Sequence, residues 1–212
     1  MTAKQIVGHF NKLVPDAKCE LQYSTPYQLL VAVILSAQCT DKRVNMVTNQ
    51  LFKIAPDPQS ILKLGREKLE EIIHPCGFFR NKSANIISAT GDIISKFNGV
   101  VPQEMDKLTS LAGVGRKTAN VIISEAFGGD AFAVDTHVLR VSNRLGLVNS
   151  NDPVKVEQTL TQFFDKKDWS RLHYQMVLFG RYKCKAIKPE CNGCPFQNIC
   201  KYYQEKYVSR QG

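Results

Sequence analysis

The chain has 212 residues, enough for one domain or two small ones. Hydrophobic residues make up 43% and charged residues 22%, a balance that argues against a disordered chain. No apolar run reaches the ~20 residues that span a bilayer. A formal charge of +9 suits a polyanionic partner such as nucleic acid, because Lys and Arg displace the counterions of phosphates. The N-terminal MTAKQIVGHFNKLV is amphipathic and has no signal-peptide core, which predicts a cytoplasmic protein.

The pattern is helical nearly throughout, and no stretch alternates with period two, so an all-α fold is expected. Residues 2–13 read as a first helix. Pro26 fits the first position of a second, running to about Ala37. Thr40 or Asp41 can cap a third that runs to Ile54, and Asp57-Pro58 opens a short fourth. Residues 66–74 form a fifth, closed near Gly77, and residues 82–97 a sixth, closed by Asn98-Gly99. Residues 104–109 lead into a glycine hairpin, Gly113-Val114-Gly115, from which a helix continues to about Phe127. The chain turns at Gly128-Gly129, crosses an apolar strip from Ala131 to Val134 and reaches Asp135. Further helices follow at 136–145, 153–164 and 169–180.

The stretch from Leu111 to Asp135 carries the chemistry. Two glycines allow close approach of the backbone to a ligand and positive φ. The next helix presents unpaired N–H groups and a positive dipole end, a seat for phosphate. Lys117 lies in its first turn, where the dipole disfavours an ammonium and so favours the nucleophilic neutral amine. Asp135 can stabilise a cation or move a proton, and it is also placed to cap the helix at 136. The plain structural alternative is a turn, a solvated lysine and an ordinary cap.

Four of the seven cysteines are clustered as Cys184-x6-Cys191-x2-Cys194-x5-Cys200. In a reducing compartment such a group points to a metal. Four thiolates suit either a tetrahedral zinc or a [4Fe–4S] cluster, and spacing physics leaves both open. Arg181, Lys183, Lys185 and Lys188 surround the first of them. Cys19, Cys39 and Cys76 are isolated and read as core residues.

Leu111-x-Gly113-Val114-Gly115-Arg116-Lys117-Thr118-Ala119, followed by Val134-Asp135-Thr136-His137, resembles the helix-hairpin-helix and catalytic loop of the endonuclease III family of DNA glycosylases. Ala112 stands where that family usually has Pro. The six, two and five intervals between the cysteines resemble the family's iron–sulfur loop, and Ser36-Ala37-Gln38-Cys39-Thr40-Asp41 resembles its SAQ-x-TD stretch. The resemblance runs from about Cys19 to Cys200. It implies a six-helix domain at 22–132 and an iron–sulfur domain made of 1–21 and 133–212, with a cleft between them.

The resemblance further implies a monomeric base-excision repair enzyme acting on double-stranded DNA with a damaged base or an abasic site. Lys117 would be the nucleophile and Asp135 its carboxylate partner, with Cys184, Cys191, Cys194 and Cys200 holding a [4Fe–4S] cluster. Gln38 would fill the gap left by the extruded nucleotide. Phe78, or its neighbour Phe79, would be the wedge in place of the family's Leu. Phosphate contacts would come from Gly113, Val114, Gly115 and Arg116, and from Lys185 and Lys188 of the cysteine loop. Oxidised pyrimidines would be the excised bases, and the nucleoid the place of action. The rival readings are an adenine-type monofunctional relative and a non-catalytic DNA-binding iron–sulfur protein. Lys117 argues against both, and an end twelve residues past Cys200 argues against the further domain of the adenine type.

Overall fold

The computed structural model describes residues 2–208. Among them all regular structure is helical, as the patterning requires. No helix is long and apolar enough to cross a membrane. The chain divides into two compact units, one of Cys19–Gly129 and one of Met1–Lys18 with Asp130–Gly212.

The continuous unit contains α2 (Pro26–Ser36), α3 (Asp41–Ile54), α4 (Pro58–Leu64), α5 (Arg66–Ile73), α6 (Phe79–Phe97), α7 (Met105–Thr109) and α8 (Arg116–Phe127). Thr25 starts α2 by accepting from the Gln28 N–H, with Pro26 at a position that needs no N–H partner. Every residue from Tyr27 to Leu35 is buried, so α2 is apolar all round and forms the axis of this unit. It packs against α3, α6 and α8. Thr40, not Asp41, caps α3; Asp41 instead adds its charge to the positive end of that helix.

The sixth helix begins at Phe79, three residues before the expected start at 82. Its core-facing pattern starts with the buried residues 82, 83 and 86, so periodicity alone cannot see the first turn. The residue before it, Phe78, is left-handed (φ 49°) and supplies no side-chain cap. A 3₁₀ turn, His74–Cys76, joins α5 to this corner.

The second unit gathers α1 (Ala3–Leu13), α9 (Thr136–Leu145), α10 (Pro153–Phe163), α11 (Trp169–Tyr182) and α12 (Lys201–Tyr203). Both α1 and α9 pack on α11. The rings of Phe10, Phe179 and Phe196 meet with centroids 4.8–5.6 Å apart. Phe196 lies between the third and fourth clustered cysteines, so this aromatic contact anchors the cysteine loop in the core. The strip Ala131–Val134 is buried, and the Ala133 carbonyl accepts from Nδ1 of the buried His173 at 2.7 Å. That bond fixes the backbone two residues before Asp135. α12 and the π turn at Gln204–Val208 were not expected from the pattern, which is short and aromatic there.

Candidate functional site

The hairpin between α7 and α8 is closed by the Val114 N–H donating to the Leu111 carbonyl at 3.1 Å. Gly113 has φ +78°, and a Cβ there would come within 2.9 Å of the Asn85 side chain, so only glycine fits. Gly115 differs from expectation: at φ −88° and ψ 175° its backbone is extended and open to any residue. Its role is different. It is the N-cap of α8 and brings no side-chain acceptor to the first turn. Val114 is buried and its N–H is taken up by the Leu111 carbonyl, while Arg116 and Lys117 are exposed.

Asp135 caps α9. Its Oδ1 accepts from the His137 and Val138 N–H groups, both at 2.8 Å. Both bonds fall on one oxygen, so the cap does not consume the whole carboxylate. The imidazole of His137 is held below its usual pKa by burial, partly offset by the Asp135 charge.

Two further expected residues lie on turns of the continuous unit. Gln38 follows α2, is exposed and is left-handed at φ 54°. Phe78 is 64% exposed, whereas Phe79 packs on the core with its ring 4.6 Å from that of His74. Of the two aromatics, only Phe78 is presented at the surface. Lys82, two residues from the exposed Arg80, is buried.

All four clustered cysteines line one cavity, together with Arg144, Phe196 and Tyr202. Among the described residues, no three His, Cys, Asp or Glu are gathered closely enough to ligate one ion. Burial raises the thiol pKa of Cys191, Cys194 and Cys200, and the neighbouring Cys184 raises each further. Lys185 is engaged within the loop, its Nζ 2.6 Å from Glu190, and Lys188 is exposed at φ 51°.

The family model described as HhH-GPD superfamily base excision DNA repair protein matches residues 31–166. Endonuclease III of Bacillus subtilis is 48% identical over 210 residues, 97% of this chain and 96% of the relative. The chain belongs to the endonuclease III family. It is a base-excision repair DNA glycosylase with AP lyase activity. A solved non-covalent endonuclease III–DNA complex superposes with TM-score 0.93 at 45% identity, covering 98% of this chain and 99% of that one. A trapped endonuclease III–DNA covalent intermediate superposes with TM-score 0.92 at 46% identity, covering 97% and 99%.

Within this endonuclease III fold, Gln38, Phe78, the hairpin and Lys117 belong to the continuous unit, and Asp135 and the cysteines to the other. Two arginines were missed from the sequence. Arg144 donates to the carbonyls of Lys185 (2.7 Å) and Ala186 (3.0 Å), touches the Cys184 sulfur at 3.4 Å and stacks on Tyr202 at 4.4 Å. Arg140 donates to the carbonyls of Cys184 (3.1 Å) and Gly180 (2.8 Å). Their i,i+4 spacing on α9 was the available signal, since it puts both on one face. Arg144→Ala should cost roughly 2–3 kcal/mol, because charge-assisted bonds to loop carbonyls are lost. Denaturant melts should show the loss; an unchanged midpoint would show that the loop holds itself.

Proposed function

We propose that this enzyme binds double-stranded DNA carrying an oxidised pyrimidine or an abasic site, excises the base and nicks the strand by β-elimination. The observation that carries the reading is Lys117, an exposed amine in the first turn of a helix that begins at an uncapped glycine hairpin. The relative trapped as a covalent intermediate on DNA supports a mechanism with an enzyme nucleophile.

In the proposed sequence the duplex is opened and the nucleotide is flipped out, at a cost of a few kcal/mol in stacking and pairing. Phe78 wedges into the stack and Gln38 occupies the vacated space. Backbone N–H groups of the hairpin and of the first turn of α8 hold a phosphate, with Arg116 adding charge. Neutral Lys117 Nζ attacks C1′ as the N-glycosidic bond breaks and the base leaves. Asp135 stabilises the developing sugar cation through the oxygen that does not cap α9. The resulting aminal opens the sugar ring: the C1′–O4′ bond breaks, O4′ takes up a proton and Nζ gives one up, leaving a C1′=Nζ Schiff base. This acidifies the 2′ proton, whose removal expels the 3′ oxygen and cuts the strand.

Cys184, Cys191, Cys194 and Cys200, which line one cavity, would hold a [4Fe–4S] cluster through their thiolates. When bound, the group pins the loop that carries Lys185 and Lys188. Purified enzyme should then contain about four irons per chain and absorb broadly near ~400 nm. Colourless protein with one zinc would contradict this. A monomer in the cytoplasm, working on the nucleoid of a bacterium, fits the reaction.

A panel of duplexes, each with one lesion, tests the substrate. Oxidised pyrimidines should be excised well ahead of alkylated purines or mispaired adenine, and the reverse order would refute the assignment. Phe78→Ala should slow excision from duplex by roughly 10- to 100-fold, the scale of lost positioning. Cleavage at an abasic site, which unstacks readily, should fall much less. Equal losses on the two substrates would remove Phe78 from the role of wedge.

A further inference from the structure

Lys82 is 4% exposed, and its Nζ donates to the Leu35 carbonyl at 2.8 Å and the Cys76 carbonyl at 3.0 Å. Leu35 lies in the last turn of α2, where carbonyls lack partners within the helix. Gln38 follows three residues later. Cys76 closes the 3₁₀ turn His74–Cys76, and Phe78 follows two residues later. One buried ammonium therefore ties together two chain segments that are distant in sequence, each just before a proposed DNA-inserting residue.

Both of those residues are strained. Gln38 and Phe78 are left-handed without being glycine (φ 54° and 49°). Such conformations persist only where the surroundings over-determine them. Asn98, left-handed as well, is the C-cap of α6; Gln38 lies one residue past the C-cap of α2, in a turn closed by the Cys39 N–H and the Ser36 carbonyl, and Phe78 precedes α6. A buried cation is costly and is kept only where its hydrogen bonds are used. The Cys39 and Cys76 thiols face this ammonium, and burial lowers its pKa against them.

We propose that Lys82 is a positioning residue for nucleotide extrusion: its ammonium fixes the end of α2 and the 74–76 turn so that Gln38 and Phe78 enter the duplex together. The inference rests on the reading of Gln38 and Phe78 given above. The reaction itself uses no atom of Lys82.

Lys82→Met keeps the apolar stem and removes the donors, while Lys82→Gln keeps an amide donor on a shorter stem. Each is compared with wild type on a thymine-glycol duplex and on a single-stranded oligonucleotide with an abasic site, which requires no extrusion. A 2-aminopurine opposite the lesion reports unstacking. Lys82→Met should lower single-turnover excision from duplex by about 10- to 100-fold, the effect of a small misplacement of positioning groups. It should suppress the 2-aminopurine signal, with borohydride trapping on the single strand within about twofold of wild type. Lys82→Gln should fall between, and it carries the same comparison should the Met variant fail to fold. Equal losses on both substrates, or duplex excision within about twofold of wild type, would overturn the proposal. Gln38→Ala and Phe78→Ala run alongside. If they lose duplex excision and both Lys82 variants keep it, only the role of Lys82 fails; if they keep it, the reading beneath fails with it.

Discussion

Lys117→Gln should lower strand cleavage at an abasic site by on the order of 10³-fold or more, because it removes the only proposed nucleophile. Gln is shorter than Lys but close to it in helix propensity, so α8 should keep its first turn. The hairpin should be untouched: Gly113 keeps its positive φ, and the Val114-to-Leu111 bond uses backbone alone. Affinity for abasic DNA should survive, with the salt dependence shallower by about one phosphate contact at most. A variant that loses cleavage and binding together would instead make Lys117 a phosphate ligand. Base excision should fall with cleavage, since one amine serves both steps.

Asp135→Asn should lower base excision by roughly 10²- to 10³-fold while leaving the fold nearly unchanged. Asn caps helices about as well as Asp, so the bonds to the His137 and Val138 N–H groups can be kept. The expected loss in stability is only the charge–dipole part, about 0.3–1 kcal/mol. Asp135→Ala removes the cap as well and should cost about 1 kcal/mol more. Cleavage of a pre-formed abasic site should fall less than excision, because no base departs and no sugar cation must be stabilised. Equal falls would show that Asp135 acts after base loss, at the elimination. A drop in melting temperature with excision intact would make the carboxylate a cap alone.

Much of this fold can be read from local chemistry. Thr25, Thr40, Asp57 and Asp135 each cap a helix by a side-chain bond to a nearby N–H, so composition at those positions marks where helices begin. The continuous apolar run of α2 announces a central helix. The Gly113 requirement is local too, although the clash that enforces it comes from Asn85 in another helix. Other features depend on groups brought together by the fold. Lys82 reads as solvated because nothing near it in sequence shows that Leu35, 47 residues away, will offer its carbonyl. Arg144 likewise finds its partners 40 to 42 residues on. Phe78 and Phe79 are equivalent as neighbours, and only the left-handed turn at 78 decides which ring faces outward. Gly115 shows the reverse error: a glycine in a hairpin suggests positive φ, yet here its use is the missing side chain at a helix start.

The central claim is that Lys117 forms the covalent bond to C1′. The most direct measurement is to trap wild-type enzyme on abasic duplex with borohydride, digest the adduct with protease and nuclease, and sequence the modified peptide by mass spectrometry. The account predicts a reduced deoxyribose adduct on Lys117, in the peptide that begins after Arg116. An adduct on any other amine, with Lys117 recovered unmodified, would contradict it.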